Sequence, residues 1–392
     1  MNWNAVHDAF PINRELIWLN NCGIAPAGKT VTDAMERFMA GFARRGILTD
    51  TESFPETGRA IKAVLAHLLN ARPEELALIH HTAEGMNIVS RGLTHLVPED
   101  EILLLEDEYP SNVYPWRHWE QRGIVLKTLP AGPTPEAFLA ALRERITSRT
   151  RVAALSAVHW CTGMPYPLKE IGAICRERDI RFVLDGTQGV GMQPVDVAEA
   201  GIDFMAFSAW KWLMGPPGLG VLYVRADRLT ELTPIFIGTR SVVKDQQYLP
   251  YKDELKPDTE RFAISTPSLA DWVWFRASLT LLEEIGFAAA RERIWELSAQ
   301  LARRLRKVGF RLLADQFPDH PTGIIVCERP EADAGELVAA LQENGVVAAE
   351  RMGRVRFSPH VFNTPQQMDA AARTLSEVYL KTMYTRTVKG RR

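Results

Sequence analysis

Residues 182–191, FVLDGTQGVG, and 204–224, FMAFSAWKWLMGPPGLGVLYV, each open on an apolar run that ends in polar groups. Asp185 and Gln188 follow the first run, and Ser208, Trp210 and Lys211 follow the second. Short continuous apolar runs bounded by glycine turns read as strands buried on both faces, the habit of parallel sheets. The spacing from Asp185 to Lys211 is long enough for the chain to leave one strand and return on its neighbour. In open parallel sheets ligands bind beyond the carboxyl ends of the strands, where both groups would then converge on one pocket.

Outward from this segment the same texture continues. EILLLE at 101–106, IVLKTL at 124–129 and RVAALSAV at 151–158 read as further buried strands. Between them PEAFLAALRERI (135–146) and PLKEIGAICRERD (167–179) repeat apolar residues at helical spacing behind an opening proline. Strand and helix in alternation predict an α/β fold with a mostly parallel sheet covered on both faces. After about residue 260 the pattern changes. A long amphipathic stretch at 277–309 precedes the shorter strand candidates GIIVCE (323–328) and RVRFS (354–358) and a last helix over about 365–382. We read a large domain over 15–260 and a smaller α+β domain over 261–392 that also takes residues 1–14. The polar segment 240–261 reads as a long loop, and loops of that length are more often functional than idle, so it is expected near the site.

At 392 residues the chain is too long for one core, which agrees with two domains. Lys and Arg number 46 against 48 Asp and Glu, so nothing electrostatic favours nucleic acid. No stretch approaches the ~18 apolar residues of a membrane span. The opening MNWNAVHDAFPINREL lacks the basic start and apolar run of a signal peptide, which makes the cytoplasm the expected compartment. Cys22, Cys161, Cys175 and Cys327 are scattered without metal-ligand spacing and read as free thiols. The basic tail Lys389, Arg391 and Arg392 reads as solvated.

A pyridine cofactor needs three things from a protein: an amine to join, an anion beside the ring nitrogen, and donors for its phosphate. Lys211 is the candidate Schiff-base lysine, made nucleophilic by a pocket that disfavours the ammonium form. Asp185 is the candidate partner of the ring nitrogen, and Gln188 a donor to the ring hydroxyl oxygen. Read singly, an Asp at a strand end is a helix cap and a Lys beside Trp a solvated side chain. Their joint context, with the tight turn GPPGLG after Lys211, favours pyridoxal 5'-phosphate (PLP).

Over nearly its whole length the chain resembles the class V aminotransferases, the group that includes cysteine desulfurases, selenocysteine lyase, isopenicillin N epimerase-like enzymes and kynureninase. DGxQ followed by SxxK and the GPxGxG turn carries the likeness. The resemblance implies fold type I with a mostly parallel seven-stranded sheet, and a homodimer with active sites at the subunit interface. It further implies a phosphate cup of Thr82, Ala83 and Glu84 in HHTAEGMN, with Ser208 as a second hydroxyl. Thr266 in STPS would reach the phosphate of the neighbouring subunit, although Ser265 stands where the family often has Gly. Tyr109 in DEYPSNVYPW would stack on the cofactor. Asn20 and Asn21 in WLNNCGIAP would line the substrate side, and Arg356 in RVRFSPHVFNT would grip the α-carboxylate, with Arg354 beside it exposed.

Two departures shape the functional expectation. Cysteine desulfurases carry a persulfide-accepting cysteine shortly before that arginine, and NGVVAAERMGRVRFS (344–358) has none. Trp210 stands where desulfurases have a phosphate-binding His, and Trp160 in VHWCTG where they have an Asn. Trp210 keeps one N–H to donate, and Trp160 shapes the pocket. The expectation is a carbon–sulfur lyase working by β-elimination without a persulfide cysteine. An aminotransferase or epimerase, or a silent scaffold, are the alternatives.

Overall fold

The computed structural model describes residues 1–46 and 54–389, so Arg391 and Arg392 of the basic tail lie outside the described residues. The strands of the first part are β1 (Ile17–Trp18), β2 (Leu76–Ile79), β3 (Glu101–Leu105), β4 (Val125–Leu129), β5 (Thr150–Ser156), β6 (Arg181–Asp185), β7 (Phe204–Ser208) and β8 (Gly220–Val224). Seven of them form one sheet in the order β2-β8-β7-β6-β5-β3-β4. β8 runs antiparallel to both neighbours, and the other pairs are parallel. This is the α/β architecture with a mostly parallel seven-stranded sheet that the sequence led us to expect.

The apolar runs are continuous because both faces are covered. Phe182 and Leu184 enter one apolar layer and Val183 the opposite one, and Met205 and Phe207 oppose Phe204 and Ala206 in the same way. Successive side chains of a strand point to opposite faces, so a run buried on both sides has no polar beat. Register sets the site: Ser156 pairs with Asp185, and Asp185 with Ala206, which brings the ends of β5, β6 and β7 to one edge. The helix Thr82–Gly92 packs on β7 and β8. Gly85 permits that approach, since a Cβ there would lie 2.5 Å from the Ala206 methyl.

The second part holds β9 (Arg311–Leu312), β10 (Ile325–Glu328), β11 (Val346–Val347), β12 (Ala349–Arg351) and β13 (Arg354–Phe357). Four of these make a sheet in the order β12-β13-β10-β9, antiparallel throughout. The amphipathic stretch is two helices, Leu269–Ile285 and Phe287–Lys307, broken at Gly286 with φ +84°. The division at residue 260 stands as our proposal. Across it, Leu269–Ile285 packs on the helices Lys29–Arg45 and Phe54–Leu69, and β1 runs parallel to β11. A bridge between Asn20 and Ser358 then ties the N-terminal loop to the segment after β13. Among the described residues no helix is long and apolar enough to cross a membrane.

Candidate active site

A cavity of about 390 Å³ opens at the carboxyl ends of β6 and β7. Thr82, Ala83, Tyr109, Asp185, Gln188, Ser208, Trp210, Lys211 and Arg356 all line it, so most residues singled out from the sequence meet there. Asn20, Asn21, Glu84 and Thr266 do not. Trp160 is in the wall, as expected of a residue that shapes the pocket, and Cys22, Thr187 and Arg351 join it.

One end is built for an anion. The Thr82 hydroxyl lies 2.7 Å from the Thr187 hydroxyl and 2.7 Å from that of Ser208, all three buried. Thr82 is free to join this cluster because His81 is the helix cap, its Nδ1 accepting the Glu84 N–H at 3.0 Å. Thr82 and Ala83 open the helix, where amides have no partner a turn back and favour negative charge. Glu84 is committed elsewhere: its carboxylate accepts the His80 N–H at 2.6 Å. Thr187 was not singled out, although it sits between Asp185 and Gln188 in the same turn.

At the centre, Asp185 is 4% exposed and its Oδ1 accepts the Thr187 N–H at 2.9 Å. Burial raises its proton affinity, and the Thr187 bonds and the Lys211 charge pull it back down. Burial also pushes the Lys211 ammonium down to about 8, against the attraction of Asp185, so a neutral amine is accessible near neutral pH. The Lys211 Nζ lies 5.5 Å from the centre of the Tyr109 ring, which meets Trp160 edge-on at 5.4 Å. Gln188 is locked, donating to the Cys22 carbonyl at 2.9 Å and accepting from the Trp212 indole at 3.0 Å. One N–H of its amide is left for a ligand.

Behind Tyr109 lies Glu108, which sequence reasoning missed. Its carboxyl accepts the Ser156 hydroxyl at 2.6 Å and the Tyr109 N–H at 2.7 Å. Burial and then the nearby Asp185 push it up to about 7.

The opposite wall is cationic. Arg356 reaches in from β13, 2% exposed, with its Nη1 donating to the Trp160 carbonyl at 2.8 Å and its buried Nε without a partner among the described residues. Arg354, expected to be exposed, is half-buried and bonded to Glu328. Asn21 is fully buried and donates to the Ser358 carbonyl at 2.7 Å, and the Cys22 N–H donates to the Ser358 hydroxyl at 2.9 Å. Asn21 thus ties down the loop that presents Cys22. Thr266 lines a separate cavity of about 160 Å³ with Glu84 and Arg240, and the loop 240–261 gives no residue to the main one.

These residues fit PLP. A hydroxyl cluster at a helix start suits a phosphate, a buried carboxylate suits a ring nitrogen cation, and an enclosed amine of lowered pKa suits covalent attachment. The unpartnered Arg356 Nε is a donor awaiting an anion. Among the described residues no cluster of His, Cys, Asp and Glu could hold a metal.

The comparisons agree. The family described as aminotransferase class-V matches residues 17–369. A protein named probable cysteine desulfurase from Pyrococcus abyssi is 25% identical, over 95% of this chain and 96% of its own. Two solved chains share the fold at 23% identity. One is a C-DES variant with glycine covalently linked to the PLP cofactor, with a TM-score of 0.87 over 94% of this chain and 98% of that one. The other is the cystine C-S lyase C-DES with its product cysteine persulfide, with a TM-score of 0.85 over 94% and 99%. The chain belongs to the class-V aminotransferase family and is a PLP-dependent enzyme of the cysteine desulfurase-like kind.

Proposed function

We propose that this enzyme is a carbon–sulfur lyase that eliminates the β-substituent of a sulfur-bearing amino acid without a persulfide cysteine. The observation that carries this reading is the hairpin before Arg356. β12 and β13 join through a short turn at Met352 and Gly353, and residues 344–358 contain no cysteine to accept sulfur. Cys22 is the thiol on the cavity wall, held at 1% exposure with its backbone tied at both polar groups. A small buried thiol in that setting is packing. The likeness in fold to a cystine C-S lyase supports the same reading.

In this reading PLP, held by Lys211, supplies an electron sink for the pair left when the α-proton departs. Arg356 orients the substrate by its carboxylate, with Nε and Nη2 left for it while Nη1 stays on Trp160. Asp185 holds positive charge on the ring nitrogen. Thr82, Thr187 and Ser208 take the phosphate, and Tyr109, edge-on to Trp160, offers an aromatic ring to stack on the cofactor. Lys211 Nζ, as a free amine, would take the α-proton; the pair left on the α-carbon would form a double bond to the β-carbon as the carbon–sulfur bond breaks with its own pair leaving on sulfur.

The remaining expectations belong to the same proposal. The exposed large apolar side chains Phe236, Ile237, Tyr248, Leu249 and Tyr251, all within one segment of the chain, support a homodimer. Thr266, off the cavity of its own chain, is then available to a second copy. Four buried, unpaired cysteines suit a reducing, cytoplasmic setting.

The test is absorption of the purified protein before and after borohydride, followed by a panel of amino acids including cysteine and cystine. A band that borohydride bleaches, with release of pyruvate and a sulfur product, supports the lyase. Formation of a keto acid that keeps the substrate's side chain, or of the mirror-image amino acid, would make it an aminotransferase or an epimerase. Absence of any band with added PLP would remove the assignment of Lys211.

A further inference from the structure

Arg351, which the proposed function leaves unused, also lines the cavity, five residues before Arg356 and across one hairpin. Its surroundings differ from those of its register partner. Arg354 is bonded to Glu328, which Arg311 also reaches. Among the described residues the Arg351 guanidinium has no carboxylate within ion-pair distance, and its one side-chain hydrogen bond runs from Nη1 to the carbonyl of Glu350 at 2.6 Å. The Glu350 carboxylate is turned away, accepting the Gly353 N–H at 2.6 Å. A half-buried guanidinium is thus held at the cavity wall with its remaining N–H groups uncommitted.

What the other groups on the wall already serve says what it awaits. The charged groups on the cavity wall are Asp185, Lys211, Arg351 and Arg356. Asp185 is matched by the ring nitrogen and Arg356 by the α-carboxylate, and the phosphate has its own donors at Thr82, Thr187 and Ser208. Lys211 is committed to the cofactor, which leaves Arg351 as the wall cation with no role assigned, and a planar guanidinium is suited to a carboxylate. Resting on the amino-acid reading of this site, we propose that Arg351 forms a second anion subsite, and that the preferred substrate is an amino acid carrying a second carboxylate beyond its β-carbon. Arg356 takes the α-carboxylate and Arg351 the distal one. Arg351 is then a specificity-determining residue.

The test compares holoenzyme and its R351Q and R351K variants on paired amino acids that differ only in a distal carboxylate. In parallel, calorimetry follows the binding of succinate and butyrate to each protein. The wild type should favour the dicarboxylic member, and R351Q should lower the diacid-to-monoacid ratio of kcat/KM by about 10- to 100-fold. R351K, which keeps the charge but not the fork, should fall between them. Succinate binding should weaken in R351Q more than butyrate binding. A ratio that does not move in either measurement overturns the proposal, whether Arg351 serves the α-carboxylate or only the wall. An unchanged cofactor spectrum shows that the variants are folded. If no amino acid reacts at all, the lyase reading fails, and the diacid calorimetry still decides the role of Arg351.

Discussion

The Arg356 guanidinium is held at 2.8 Å by the backbone carbonyl of Trp160, a contact that joins β13 to the turn after β5. It fixes the plane of the fork by one nitrogen and leaves the buried Nε–H unpaired. Arg356→Lys keeps a charge but has no second nitrogen in that plane. We expect KM for α-amino acids to rise about 10- to 100-fold, with a smaller change in kcat and no change in cofactor absorption. An unchanged KM would assign the carboxylate to another residue.

Asp185 sits at the end of β6, where burial disfavours its ionised form and the charge of Lys211 works the other way. A cation at the ring nitrogen restores the balance. Asp185→Asn keeps the shape and the Thr187 contact but removes the charge. Turnover should fall by about 100-fold or more, the scale seen when one group that stabilises developing charge is removed. Steady-state rates on the best substrate check this, and a rate near wild type would separate Asp185 from the chemistry.

Much of this site could be read from the sequence because its parts are local. DGTQ, SAWK and TAEG each sit at an element boundary, and an apolar run ending in polar groups points there directly. The strands β3 to β8 were legible for the same reason. β2 was not singled out, since four residues directly after a helix and a proline turn carry too little pattern to stand apart. Glu84 and Thr187 illustrate the limit at the site. Which of two neighbouring polar groups enters a cavity depends on capping, and His81 took the cap that Thr82 would have filled. The part Asn21 plays was hidden because its amide donates to the carbonyl of Ser358, far along the chain, and Asn20 is bridged to the same residue. Glu108 and Arg351 became visible only when distant strands placed one beside Asp185 and the other on the wall opposite.

Glu108 has a measurable signature apart from activity. Burial and Asp185 raise its carboxyl from an ordinary value of 4.5 to about 7, so the folded protein binds this proton more tightly than the unfolded chain. Its contribution to stability is complete below the ordinary value and is lost as pH rises through about 7. Glu108→Gln cannot ionise. The stability of the variant relative to wild type should therefore increase between acidic and mildly alkaline pH, by an amount on the order of 2 kcal/mol. Denaturant unfolding of both proteins at the two ends of that range measures the difference. A constant difference would mean that Glu108 titrates as an ordinary carboxylate.

Lys211 offers the sharpest test of the electrostatics, because the same burial that raises a carboxyl lowers an amine. Its ammonium is pushed down to about 8, and the amine attacks only when neutral. The rate at which PLP becomes covalently attached to cofactor-free enzyme should thus climb by about tenfold per pH unit below that value and level off above it. Asp185 works against the shift by favouring the charged lysine, so in Asp185→Asn the levelling should move to lower pH. Lys211→Ala should show no attachment at all. Stopped-flow absorbance across the pH range resolves these cases. A rate that keeps climbing beyond pH 8 would identify an ordinary, solvated amine, and covalent attachment in Lys211→Ala would move the assignment to another lysine.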